Sequence, residues 1–163
     1  MLGPRNILIV VAVFEFLAVL WDFLFGRMSI LFRDPLEPAE PGIGDVLAKL
    51  YLGSHPLLAL AALALAATGR IRRAVVVLGA IEMVRWVKFM PSVMESGLRL
   101  DNIFDVQWTA AQIFLLPLIG TLSITLAVRN HRLGLAAALT GIPSLYNLTG
   151  LTVSILWTLI NGL

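Results

Sequence analysis

Long apolar stretches, separated by shorter polar ones, dominate the pattern along the chain. Each has close to the roughly 20 apolar residues that a helix needs to cross the hydrocarbon layer of a bilayer. The pattern therefore predicts an all-α fold, a polytopic integral membrane bundle of about five transmembrane helices that forms one domain over residues 1–163. The predicted helices lie at about 7–25, 46–68, 74–94, 108–128 and 133–159.

The polar segments between these helices differ in charge. Residues 69–73 include three arginines, and residues 129–132 include two arginines and a histidine, whereas the segments 26–45 and 95–105 hold seven of the ten acidic residues. Short loops rich in Lys and Arg are typical of the cytoplasmic side of a membrane. The sequence thus predicts a cytoplasmic N-terminus and an outer C-terminus, in a bacterial inner (plasma) membrane.

The first outer loop, 26–45, is rich in proline. Pro35, Pro38 and Pro41 are spaced by three residues, which favours an extended, polyproline-like run. The apolar run near the N-terminus has some features of a secretory signal. Glu15 interrupts it and no small-residue cleavage pattern follows, so we expect an uncleaved first helix.

Composition agrees with a membrane protein and narrows the chemistry. The chain is 59% hydrophobic and 13% charged, against roughly 25% charged residues in a soluble domain. It has no cysteine, and no nucleophile elbow, phosphate loop or zinc signature is found. We therefore expect no metal, no cofactor and no nucleic-acid partner, and an enzymatic activity is disfavoured.

Ionisable residues inside the predicted helices are the strongest candidates for function, because a charge within a membrane is costly and often marks a pathway. Glu15 and Asp22 are seven residues apart and share a face of the first helix. Residues 82, 85 and 88 share a face of the third helix. The candidates for a proton, ion or substrate pathway are Glu15, Asp22, His55, Glu82, Arg85 and Lys88.

Matching depths predict contact between these two faces. Glu15 and Glu82 both fall near the membrane midplane, and Asp22 and Lys88 both fall further out. We expect an acid of the first helix within salt-bridge distance of Arg85 or Lys88. Three acids against two bases leave one carboxylate without a partner, and Glu15 is the candidate.

Structural interpretations compete with this one. Glu82 and Arg85 can pair within their own helix, and Lys88 can extend to the headgroups. His55 precedes Pro56, so its imidazole either bonds a helix carbonyl that the proline leaves without a donor or relays protons with the carboxylates.

A second group of residues suggests a ligand or lipid pocket in the outer half of the bundle: Trp86, Gln112, Tyr146 and Asn147. Residues 141–150 combine glycines, a proline and polar residues, which indicates either a locally unwound helix or an ordinary proline kink. Small residues at regular spacing favour close helix approach. They are Ala59, Ala62 and Ala66, then Ala137 and Gly141, then Gly150, Ser154 and Thr158.

Chain length and span count resemble those of the five-helix tryptophan-rich sensory proteins, which bind porphyrin and cholesterol. The resemblance is one of architecture and carries no match of individual tryptophan or proline residues, so it implies no site residue.

Three functional hypotheses follow. The first is a non-catalytic accessory or structural subunit that packs against other membrane subunits or a second copy. The second is a proton-coupled carrier or ion conduit that uses the intramembrane acids and bases. The third is a lipid- or quinone-binding protein. In each, the lipid bilayer is the principal environment.

Overall fold

A computed structural model describes residues 3–21, 43–96 and 103–161 of the chain, and every regular element in them is a helix. The predicted all-α fold is therefore confirmed for these residues. Asp22 and most of the proline-rich loop lie outside them. The helices are α1 (Pro4–Trp21), α2 (Ile43–Ala67), α3 (Ile71–Ser96), α4 (Ile103–Ala110), α5 (Leu116–Val128) and α6 (Leu133–Asn161), with a π-helical turn (Ala111–Leu115) joining α4 to α5.

The long helices form a closed ring. Each of α1, α2, α3, α5 and α6 packs against the next, and α6 returns to α1. Helix α3 also contacts α1 and α6 across the ring. Side chains on the inner face of α3 therefore reach the centre of the bundle, where they meet those of α1 and α6.

Two helix ends are shaped by the same turn. After α2, Gly69 has a φ of 75°, and the amides of Gly69 and Arg70 donate to the carbonyls of Ala66 and Leu65. After α5, Asn130 takes the glycine's place with a φ of 52°. This is the Schellman arrangement, in which a left-handed residue lets the chain leave a helix while satisfying its last carbonyls. Both turns lead directly into the next helix.

Arginines tie these turns and the N-terminus together at one end of the bundle. A guanidinium nitrogen of Arg5 donates to the carbonyl of Ala67 at 2.7 Å, and one of Arg72 donates to that of Val128 at 2.8 Å. The last carbonyls of a helix lack intrahelical donors and favour positive charge. We call this face the arginine end: Arg5, Arg70, Arg72, Arg73, Arg129 and Arg132. The N-terminus and both basic segments thus lie at one end of the bundle, and their common place on the cytoplasmic side of a membrane stays a prediction.

The half of the bundle beside the arginine end has a small-residue, apolar core. Completely buried alanines line it, together with the larger Leu8, Val75 and Ile81. They include Ala59, Ala62 and Ala66, which the sequence pattern marked for close approach, and Ala137. Gly141 also allows a close contact, since a Cβ there would lie 3.4 Å from Val11.

A close helix crossing that was not predicted joins α3 to α5. A Cβ at Gly79 would lie 2.6 Å from Cγ1 of Ile124 and 3.1 Å from the carbonyl oxygen of Gly120. A Cβ at Gly120 would lie 3.2 Å from the carbonyl oxygen of Gly79. The two backbones can approach this closely because both residues lack a side chain.

The outside of the bundle is apolar. Leu57, Phe114 and Leu118 are each about two-thirds exposed or more. Among the described residues, two helical stretches, Lys49–Ala67 and Ala111–Val128, are long and apolar enough to cross a membrane. The full five-span arrangement stays a prediction.

Helix α6 is continuous through Pro143, so of the two alternatives for residues 141–150 the locally unwound helix is absent. The irregular backbone lies instead in the π turn before Pro117.

Candidate functional site

Four helices bring polar side chains to one level of the bundle. Counted from the arginine end of each helix, Glu15, His55, Glu82 and Ser144 lie eleven or twelve residues in. At 1.5 Å per residue this is a depth of about 16–18 Å, slightly more than half of the roughly 30 Å thickness of a bilayer's hydrocarbon layer. The expectation that Glu15 and Glu82 share one depth agrees with this geometry.

Glu15 is the centre of this group. Its side chain is 2% exposed. Its Oε2 accepts a hydrogen bond from NH2 of Arg85 at 2.8 Å and is also hydrogen-bonded to Nε2 of His55 at 2.9 Å. Its Oε1 accepts a hydrogen bond from the Ser144 hydroxyl at 2.6 Å. The predicted contact between the first and third helices is therefore present. The idea that Glu15 lacks a partner is wrong, because three other helices each supply it with one.

Arg85 joins the two buried carboxylates. Its NH1 donates to both oxygens of Glu82, at 2.9 and 3.1 Å, while its NH2 donates to Glu15. The sequence left open whether Arg85 pairs with Glu82 in its own helix or with an acid of the first helix. The structure contains both pairings. Arg85 also interacts with the side chain of Tyr51 on α2. The planar guanidinium suits this task, since it presents donors in several directions at once.

His55 lies between Tyr51 and Glu15. The imidazole and phenol rings have centroids 4.9 Å apart and are tilted by 49°. Nε2 is bonded to Glu15, whereas Nδ1 is buried without a hydrogen-bond partner. The expectation that His55 bonds a helix carbonyl released by Pro56 is therefore wrong. Its position agrees with the relay alternative.

We call this set the Glu15 cluster: Glu15, Tyr51, His55, Glu82, Arg85 and Ser144. Two carboxylates face one guanidinium, so with a neutral imidazole the group carries one net negative charge. Coulomb energies are large in a medium of low dielectric, and an unbalanced buried charge is costly. A single proton, placed on a carboxylate or on the imidazole, balances the cluster. The arrangement is thus chemically suited to binding one proton.

The residues proposed for a ligand or lipid pocket are not part of the Glu15 cluster. The indole nitrogen of Trp86 donates to the carbonyl oxygen of Ile113 at 3.2 Å. Ile113 lies four residues before Pro117, which has no N–H to donate to that carbonyl. Trp86 thus provides a donor where the proline removes one. Gln112 is buried in the π turn.

Three of the remaining candidates, Tyr146, Asn147 and Lys88, lie on helices whose backbone is described. Tyr146 is partly buried on α6, one turn beyond Pro143. The side chains of Asn147 and Lys88 lie outside the described set, as does Asp22 altogether, so the pocket around Trp86 and the outer Asp22–Lys88 pair stay predictions.

Sequence reasoning missed Ser144 and Tyr51. A serine in an apolar helix is common and gives little signal by itself. Two signals could have found them. Ser144 is at the same depth as Glu15, and Tyr51 lies one helical turn from His55.

No family model, no curated protein and no solved structure matches this chain. The geometry of the Glu15 cluster and its place in the bundle are therefore the observations that bear on function.

Proposed function

We propose that the chain spans the membrane five times, through α1, α2, α3, the continuous α4–π–α5 segment and α6, with the arginine end in the cytoplasm. Two features support this. The described exterior carries many apolar side chains, while Glu15, Glu82 and Arg85 are turned inward, which is the distribution expected in lipid. The shortest of these helices, α1, has 18 described residues, about 27 Å at 1.5 Å per residue.

We infer that the protein is a proton-coupled carrier and that the Glu15 cluster is its proton-binding site. The observation that carries this proposal is the set of hydrogen bonds around Glu15. The Glu15 carboxylate accepts hydrogen bonds from side chains of α3 and α6 and is hydrogen-bonded to a side chain of α2. A change in the protonation of this cluster alters hydrogen bonds to three helices at once. Proton binding is thereby coupled to the way the helices pack, which is what a carrier requires.

A carrier is favoured over an open conduit because the two halves of the bundle differ. Between the cluster and the arginine end lies the apolar core of alanine, valine and leucine side chains. The buried hydroxyls in this half, those of Ser123 and Thr140, each bond a carbonyl of their own helix. On the opposite side, Tyr51, Thr109 and Gln112 are buried polar residues. We therefore interpret this conformation as closed toward the arginine end, with the proton entering from the other side.

A pH jump applied to proteoliposomes on a solid-supported membrane tests the proposal without knowledge of the substrate. A proton that moves from water to the middle of the bilayer crosses part of the electric field, so its binding produces a transient current. The wild type is expected to give this current and Glu15→Gln to lose most of it. Ser123→Ala is the matched control, because the Ser123 hydroxyl is equally buried but bonds only its own helix, at the carbonyl of Ile119.

Two results would contradict the proposal: a wild type without a transient current, or a Glu15→Gln variant with an unchanged one. A sustained current under an imposed potential would replace the carrier with a conduit.

A second candidate is an accessory subunit of a larger membrane assembly. It is favoured by a row of exposed apolar side chains on the π turn and α5, Phe114, Leu118 and Leu122, at four-residue spacing. In this view the Glu15 cluster only holds the helices together. Purification from the native membrane in mild detergent decides the matter: partner chains that co-purify with the wild type but not with Leu118→Ser support it, and a chain that purifies alone argues against it.

A further inference from the structure

We propose that Nδ1 of His55 is the atom on which the Glu15 cluster takes up its exchangeable proton. This rests on the proton-coupled function proposed above and goes beyond it by naming the acceptor atom.

The hydrogen bonds around Glu15 determine which nitrogen of His55 carries hydrogen. Oε2 of Glu15 accepts from NH2 of Arg85 at 2.8 Å, and this charge-assisted hydrogen bond favours the ionised carboxylate. The same oxygen lies 2.9 Å from Nε2 of His55, and an ionised carboxylate can only accept there. We therefore assign the hydrogen of neutral His55 to Nε2, which leaves a free lone pair on Nδ1.

Nδ1 of His55 is buried and has no hydrogen-bond partner. His55 is 3% exposed, and Nδ1 is the one buried side-chain nitrogen or oxygen, among the residues that the structure describes, without a hydrogen-bond partner. Buried polar atoms are nearly always paired, so an unpaired one calls for an explanation. A lone pair kept ready for a proton is such an explanation.

The charges that face His55 favour a proton there. Glu15 approaches from α1, Glu82 and Arg85 from α3, and Tyr51 from its own helix, while Ser144 of α6 contributes only a neutral hydroxyl. The sum is one negative charge while His55 is neutral. A proton from water that bonds to the Nδ1 lone pair forms an imidazolium and brings the cluster to neutrality. Its return to water restores the starting state.

Glu82 is the competing acceptor, and geometry disfavours it. Both of its oxygens accept from NH1 of Arg85, at 2.9 and 3.1 Å. A proton on either oxygen weakens a charge-assisted hydrogen bond that already exists, whereas a proton on Nδ1 displaces none.

Nitrogen-15 NMR of histidine in lipid bilayers tests the assignment, because the chain has only two histidines. His131→Gln, at the exposed turn before α6, leaves His55 as the sole signal. We expect protonated Nε2 and unprotonated Nδ1 at alkaline pH, and both nitrogens protonated, in a single step, on acidification. The opposite tautomer, or an imidazole that stays neutral over the pH range of the transient current, would overturn the proposal.

A Glu82→Gln variant supplies a second measurement. It removes one negative charge facing the imidazolium, so the transition of His55 is expected at lower pH than in the parent; an unchanged transition would count against the proposal. Failures of the two proposals are distinguishable. A transient current with His55 always neutral rejects Nδ1 as the acceptor, and a titrating His55 without any current rejects the carrier.

Discussion

Glu15 and Arg85 are separated by seventy positions in the chain, and a hydrogen bond of 2.8 Å joins them. One residue comes from α1 and the other from α3, and at the middle of the bundle Glu15 is buried while Arg85 is 14% exposed. The bond brings an acid and a base together across two helices that are not consecutive along the chain.

Removal of Arg85 should destabilise the bundle strongly. Arg85→Met leaves two buried carboxylates without their shared donor, and loss of one partner of a buried ion pair costs about 3–5 kcal/mol. Thermal unfolding in detergent measures the effect. Arg73→Met is the matched control, since the same substitution at the exposed arginine end should change stability by no more than about 0.5 kcal/mol.

A double-mutant cycle sharpens this prediction. Glu15→Gln should relieve part of the damage done by Arg85→Met, because it removes one of the two unbalanced charges. We expect a coupling of about 1–3 kcal/mol between the two positions. Strictly additive effects would mean that the bond between Glu15 and Arg85 does not contribute to stability.

Close packing of α3 on α5 predicts a large penalty for a small change. Gly79→Ala places a Cβ 2.6 Å from Ile124 Cγ1, and overpacking of this kind costs about 1–3 kcal/mol. Gly53→Ala is the control, since a Cβ there meets no atom within 4 Å and alanine favours a helix interior by about 0.5–1 kcal/mol. Equal unfolding temperatures for the two variants would argue against this crossing.

Trp86 should be coupled to Pro117. Trp86→Phe leaves the carbonyl of Ile113 without the indole donor, at a cost of about 0.5–1.5 kcal/mol. In a Pro117→Ala background the chain regains an amide that can serve this carbonyl, so the same substitution should then cost less. Unfolding measurements on the two single variants and the double variant decide this. A cost that is equal in both backgrounds would refute the explanation.

The orientation of the bundle can be tested by labelling, because the chain has no cysteine of its own. Single cysteines replace His131 at the arginine end and Gln107 near the start of α4, both exposed. A membrane-impermeant maleimide applied to intact cells should label Gln107→Cys, and should label His131→Cys only after permeabilisation. The reverse pattern would invert the proposed topology.

The helices and the depth of their charges were predictable because each follows from local pattern. Apolar runs of sufficient length mark the helices, and residue spacing places Glu15 and Glu82 at a common level. The same reasoning predicted the contact with Arg85, since buried charges must be balanced. Residues 66–73 and 127–133, which form the two turns at the arginine end, also combine local signals of glycine or asparagine with arginine.

The details that depend on which helix faces which were not predictable. Ser144 and Tyr51 belong to the Glu15 cluster because α6 and α2 are rotated toward α1 and α3, and a single helix pattern does not specify that rotation. The same is true of Gly79 and Gly120. They lie on different helices, and they allow a close approach only because α3 and α5 cross at these two residues. For this reason the number of hydrogen-bond partners of Glu15 was underestimated from the sequence.

A count of bound protons can test our claim that the Glu15 cluster holds one exchangeable proton. Purified wild type and Glu15→Gln are titrated in detergent with a pH-sensitive dye over the same pH interval. Glu15→Gln brings the cluster to neutrality without a proton, so the wild type is expected to take up about one proton more per chain. Ser123→Ala should match the wild type. Equal proton uptake by the wild type and Glu15→Gln would contradict the claim.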